Sequence, residues 1–388
     1  MSRVGRRGHA GVRALALAVA ACTPKSATDA VTPSGDGALP GPPHSAPRSP
    51  SAPVTSARAE PDAPVTSARA EPDARLPLFL LRDVPLPGRP VRFDYQALDA
   101  AHGRLFIAHM NDASVVAVNL ADARVAHVAP NIPLPRGVAL ANEANAVLVT
   151  SSPHTLVILD SASLAELRRV DTGAGPDGVA WDARDRMIGV SDQTEGAISV
   201  IHAAGAGERR TLKLGKETGN VAFDARRGLF WIAVETVRPP DELVAVDPVG
   251  PTRVRSVPLP GCSGAHGVSL HPDGATAFVA CEDDARLARV SLDEGSGATL
   301  SLAPTGAEPD VLAQDPSLGW LYVAAESGEL SVFDLSRPGL VGLGRQRLAE
   351  GSHSVAVDPA THRVFFPLAK GPGGTPVLRI MSPSGLER

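Results

Sequence analysis

One pattern recurs seven times between roughly residue 90 and the C-terminus, and it constrains the fold more than any other feature of this 388-residue chain. A short apolar stretch ends in a turn residue, usually Asp. About six residues later a second apolar stretch begins, and a third follows it. The turn residues are Asp99, Ala141, Asp182, Asp224, His271, Asp315 and Asp358, so the steps are 42, 41, 42, 47, 44 and 43 residues. Second stretches include RLFIAH, AVLVTS, LFWIAV, TAFVAC and WLYVAA; third stretches include VVAVNL, TLVILD, AISVIH and ELSVFD. A period in the forties built from β-branched, alternating stretches is that of a propeller blade, a four-stranded sheet that cannot bury its faces alone. The expected fold is therefore all-β, a seven-bladed β-propeller. The last repeat has a third strand at 376–381 but only SPSGLER after it, too little for a fourth. The segment PLFLLRDVPLPG at 77–88, conversely, precedes the first repeat and has no blade of its own. An open edge strand leaves backbone groups unpaired. Residues 77–85 should close the ring as the outer strand of the last blade, giving a propeller domain over 76–388.

The N-terminus reads as an address. Arg3, Arg6, Arg7 and Arg13 form a basic region, Ala14 to Ala21 a short apolar one, and the stretch ends in Val19-Ala20-Ala21-Cys22. Small residues before a cysteine are what a lipoprotein signal peptidase requires, so residues 1–21 are expected to be a signal peptide and Cys22 the lipidated residue. Thr23, rather than Asp, follows it, which by the sorting rules of double-membrane bacteria points to the outer membrane, facing the periplasm. Residues 22–75 are rich in Pro, Ala and Ser, with APVTSARAEPD repeated at 52–62 and 63–73. They have almost nothing to bury and should form a disordered tether. The formal net charge is -5 and basic clusters are confined to the N-terminus, which argues against nucleic-acid binding. Cys262 and Cys281 are the remaining cysteines. In an exported chain they invite a disulfide, with two free thiols or a metal pair around His266 as the alternatives.

Two repeat positions carry the chemistry. Five residues before each turn residue stand Asp94, Arg136, Asp177, Gly219, His266, Asp310 and His353. Ten or eleven residues after it stand His109, Ser151, Asp192, Glu235, Glu282, Glu326 and Leu368. Inner-strand starts and second-strand ends lie on one face of a propeller, so these residues should meet at one mouth of the central channel. Arg136 is the one cation in the two sets, and Asn220 lies beside the gap left by Gly219. Converging carboxylates need neutralising, and His with carboxylate is a ligand set for a divalent metal ion. All the charged and His positions of the two sets, with Asn220, are expected to contact a ligand, and His266, Asp310, Glu326 and His353 among them are the expected metal ligands. Such groups can also cap turns or hydrogen-bond between blades.

Motifs for other chemistries are absent. There is no Cys-x-x-Cys-His for covalent haem, no phosphate-binding loop and no Gly-x-Ser-x-Gly elbow. The stretches VAVDPATHRVFFPL, PDVLAQDPSLGWLYVAAESGELSVFDL and GVSLHPDGATAFVACEDDARLARVSLD resemble the YVTN/YncE-like propeller proteins of bacteria. The resemblance covers the chain after the tether and implies fold far more than activity. The leading expectation is a monomeric, lipid-anchored envelope module that binds a small molecule or an envelope protein in its acidic, His-bearing funnel. The alternative is a metal-dependent, lactonase-like hydrolase using the same funnel.

Overall fold

The computed structural model describes residues 75–204, 208–295 and 299–385. The leader, Cys22 and all of the tether except Arg75 lie outside the described residues. Seven antiparallel sheets of four strands each make up the fold, and the three 3-10 turns at Met110–Asp112, Asn142–Ala144 and Pro372–Gly374 are its described helical elements. In blade 3, for example, the strands are Pro176–Asp182, Met187–Asp192, Ala197–His202 and Arg209–Lys213, paired in sequence order. The fold is a seven-bladed β-propeller.

The repeated turn Asp has a local cause. Asp99, Asp182, Asp224, Asp315 and Asp358 each accept a backbone N–H two or three residues ahead, at 2.9–3.2 Å. Asp side chains close such turns by mimicking a backbone turn, which ties the inner strand to the second strand at the same point in each blade.

Ring closure uses the N-terminal strand, Leu78–Pro85, which pairs antiparallel with Val377–Pro383 as the outer strand of blade 7. Leu78 faces a cluster with Tyr95, Tyr322, Phe366 and Met381, whereas Val84 faces one with Phe93, Leu105, Phe365 and Ile380. Six residues apart on a regular strand, both would point to the same face. A register shift between Leu80 and Arg82 switches the alternation, so this single strand feeds the apolar layers on both sides of its blade. Aromatic residues are only 4% of the chain, and the blade interfaces are built mainly from Val, Leu, Ile and Ala. A disulfide joins Cys262 to Cys281 within blade 5, with a Cα–Cα distance of 5.1 Å.

Candidate functional site

The side chains at the channel mouth are aimed there by a repeated defect in the sheet. In blades 2 to 6 the register between inner and second strand slips at the inner strand's start, between Pro135 and Val138, Pro176 and Val179, Thr218 and Val221, Ala265 and Val268, and Pro309 and Val311. Each slip is a bulge. The residues it frees are Arg136, Asp177, Gly219, His266 and Asp310, the repeat position five before the turn. A bulge breaks the alternation locally and can turn a side chain out of the sheet's packed faces. The freed backbone is repaired from the second strand: Thr150 Oγ1 and Ser191 Oγ accept from Gly137 and Gly178 N–H at 2.7 and 2.8 Å. Thr150 also donates to the Asp177 carbonyl at 2.6 Å, which fixes the next blade's site residue. Close approach needs Gly here. A Cβ on Gly267 would lie 1.8 Å from the carbonyl oxygen of Asp310.

Arg136, Asp177, His266 and Asp310 line a cavity of about 370 Å³ together with Asp94, Glu282 and Glu326. His266 lies among carboxylates: Nε2 is 3.4 Å from Asp177 and 3.5 Å from Asp310, and Nδ1 is 3.6 Å from Glu282. His353 Nε2 is 3.8 Å from Asp94 and 3.9 Å from Asp310, and its Nδ1 is 3.6 Å from Glu326. Tyr95 donates its hydroxyl to Asp310 at 2.7 Å. Two guanidiniums enter. Arg92 grips Glu326 with two hydrogen bonds of 2.8 and 2.5 Å, and Arg136 bonds Gln193 at 2.7 Å and Asp177 at 3.3 Å.

Burial and an excess of carboxylate set the protonation states. Burial opposes a charge on His266, but its bond to Asp177 and the fields of Asp310 and Glu282 win, raising it to about 10. His353 is raised to about 9 in the same way, against burial, by Asp94 and Asp310. Glu282 is pushed up to about 7 by burial, against the pull of His266 and with the charges of Asp310, Asp177 and Glu326 adding to burial. Asp310 is raised by burial above all, and Asp94 and Asp177 add to it. Glu326 goes the other way: burial opposes its charge, yet His353 and the Arg92 fork hold it below the usual range. Both imidazoles are therefore cationic at neutral pH, and the carboxylates do not behave alike.

The structure brings together Asp94, Arg136, Asp177, His266, Glu282, Asp310, Glu326 and His353. It does not bring His109, Asp192, Glu235 or Asn220 to the cavity. For His109 and Asp192 the cause is a one-residue offset. Residues ten after the turn pair with the inner strand just outside the bulge, as Asp192 does with Pro176 and Cys281 with Ala265. Glu282, Glu326 and Gln193 stand eleven after it, on the opposite face of their strands. Asp192 accordingly turns inward, accepts from Ser199 at 2.6 Å and Gly173 at 2.9 Å, and burial lifts it to about 6. His109, also ten after the turn, stacks on Phe93 with centroids 4.0 Å apart and is pushed down by burial. Glu235 has the right spacing but pairs with Lys216 at 2.8 Å. Asn220 packs against Gly178.

Arg92, Tyr95, Gln193 and Glu308 line the cavity and were not anticipated. Gln193 was within reach of the repeat, one residue beyond Asp192. Arg92 precedes the repeat, so no other blade has a counterpart to flag it.

No protein-family model matches the chain, and no curated protein sequence does. Solved structures do resemble it. A chain of Kuenenia stuttgartiensis hydrazine synthase superposes with a TM-score of 0.65 at 16% identity, covering 76% of this chain and 96% of that one. A chain of a mitotic checkpoint complex matches with a TM-score of 0.65 at 12% identity, over 86% and 98% of the two chains. The protein U3-55K matches with a TM-score of 0.62 at 12% identity, over 79% and 99%. At these identities the likeness establishes the propeller fold and nothing finer. Such a fold is a rigid frame suited to binding or scaffolding.

Proposed function

We propose that this chain is a lipid-anchored module of the cell envelope whose funnel binds a positively charged ligand. One observation carries the reading: carboxylates outnumber cations around a single cavity. Asp94, Asp177, Glu282, Glu308, Asp310 and Glu326 converge there, against Arg92, Arg136 and two imidazoles. Both guanidiniums already pair with carboxylates, and burial, with the charges of Asp310, Asp177 and Glu326 adding to it, holds Glu282 at about 7. A ligand that brings positive charge relieves this repulsion, and the rigid blades hold the carboxylates in place for it.

Calorimetric titration of the full chain with ammonium, guanidinium and divalent metal cations, against anions of matched size, tests the reading. At least one cation class should bind, and Glu282→Gln should weaken it. Binding of anions alone would sink the proposal. The anchor is a separate element, supported by the basic leader and the Val-Ala-Ala-Cys ending. Mass spectrometry of the mature protein should find a diacylglyceryl group on Cys22; an unmodified N-terminus elsewhere removes the anchor.

A second reading, a metal-dependent hydrolase of the lactonase type, has its own support in two His–carboxylate groupings at the funnel, the buried Asp94–Asp310–His353 and the partly exposed His266–Glu282–Asp310. It requires lactone turnover that a chelator abolishes. Absence of turnover in metal-loaded protein would leave the binding module alone.

A further inference from the structure

One set of buried donors in the funnel has inward-facing atoms that nothing satisfies. Asp94, Asp310 and His353 are only 2, 3 and 1% exposed. His353 Nδ1 lies 3.1 Å from the Gly351 carbonyl oxygen. A carbonyl can only accept, so Nδ1 carries the proton and donates it. Nε2 carries the second proton of the imidazolium in the metal-free protein and offers a lone pair once an ion displaces that proton; it faces Asp94 Oδ1 at 3.8 Å and Asp310 Oδ2 at 3.9 Å. Both separations are beyond hydrogen-bond range. Neither His353 Nε2 nor Asp94 Oδ1 has a hydrogen-bond partner, although both are sealed from solvent.

The other oxygen of each carboxylate faces a different group. Tyr95 donates to Asp310 Oδ1 at 2.7 Å, and Arg92 lies 3.9 Å from Asp94 Oδ2. Each residue thus presents one atom inward, and the three atoms lie within 4.8 Å of one another. A divalent first-row ion takes N and O ligands at about 2.0–2.2 Å, so ligand atoms on neighbouring vertices stand roughly 3–3.6 Å apart. The observed 3.8 and 3.9 Å are too wide for direct contact and only a few tenths of an ångström wider than a tetrahedral edge, a gap that small side-chain rotations close around an ion. The His353–Gly351 bond is the kind of support metal-ligating histidines commonly have, fixing ring and tautomer.

We infer that Asp94, Asp310 and His353 form a site for one divalent first-row transition ion, of the zinc or cobalt type, in the funnel. This deepens the cation-binding reading and rests on it by naming the cation. One imidazole beside two carboxylates favours such an ion over calcium or magnesium, whose ligands are oxygens. Glu326 does not belong to the set, because Arg92 occupies both its oxygens. His266 does not either: its Nε2 already meets Tyr95 at 3.5 Å and two carboxylates.

The full chain, stripped with a chelator and equilibrated with Zn²⁺, should retain one equivalent by elemental analysis after dialysis. Co²⁺ should give a visible d–d band that Zn²⁺ abolishes. Asp94→Asn and His353→Gln should each lose the bound equivalent while circular dichroism shows the sheet intact, and Glu235→Gln should keep it. The wild-type Co²⁺ band needs no variant, so a variant that misfolds does not leave the question open. No band and no retained zinc in folded wild type would overturn the inference, leaving a proton or a water between these atoms. Retention in both ligand variants, or loss only in His266→Gln, would overturn it too. If organic cations bind and metals do not, this inference fails and the cation-binding reading stands; if no cation binds, both fail.

Discussion

Two glutamates at the same repeat position should respond to neutralisation with opposite signs, Glu282→Gln stabilising and Glu326→Gln destabilising. Each follows the second strand of its blade and each lines the cavity. Glu282 is raised from 4.5 to about 7, first by burial. The folded protein therefore holds this proton more tightly than the unfolded chain does. Stability is lost as pH rises between about 4.5 and 7, and the full loss persists above that window. The complete linkage would be ~3 kcal/mol at 1.36 kcal/mol per unit. The carboxylate is 29% exposed at the rim, so solvent screening reduces the expectation to about 1–2 kcal/mol. Gln mimics the neutral acid. Glu282→Gln should thus be more stable than wild type by that amount at pH 8 and equal to it near pH 4.

Glu326 is held below its usual range, so its contribution is present above the unfolded value and fades as pH falls through the folded one. Losing the charged partner of the Arg92 fork should cost about 1–3 kcal/mol at pH 7, with the deficit shrinking in acid. Urea unfolding midpoints of chelator-treated protein at pH 4, 6 and 8 read both effects. The same sign for the two variants, or differences that do not change with pH, would refute the electrostatic account of the funnel.

Three further outcomes follow from the frame. Leu78→Ala should lower stability by about 2–3 kcal/mol, because it empties part of a core shared by the ring's two ends, whereas Leu80→Ala, 50% exposed on the same strand, should stay within ~0.5 kcal/mol by urea denaturation. Cys262→Ser should cost ~3 kcal/mol under oxidising conditions, from a sequence separation of 19, and reduced wild type should melt with it. Gly267→Ala should cost about 1–3 kcal/mol in thermal or urea melts, since its new methyl meets the Asp310 carbonyl and must push two blades apart.

The period and the turn residues made the seven blades and the closing strand legible in the sequence, because a strand's alternation and an Asp-closed turn are local properties. The convergence of Asp177, His266 and Asp310 was legible for the same reason: equal offsets in equal repeats mean equal places in the ring. What the repeat count hid was the face. Offsets of ten and eleven residues look interchangeable in a string but point oppositely on a strand, which put His109 and Asp192 into the packed layers and Gln193 into the cavity. Arg92 was hidden for a different reason. It lies in the linker between the closing strand and blade 1, whose course depends on the ring being shut. There Phe93 stacks on His109, the Arg92 carbonyl accepts from Asn111 N–H, and the Arg92 guanidinium reaches Glu326. Closure and site are thus made by one run of chain. The strand that latches the ring leads directly into the residues that cover His109, neutralise Glu326 and supply Asp94 and Tyr95. A propeller with this latch displaced would lose the funnel geometry before it lost its blades.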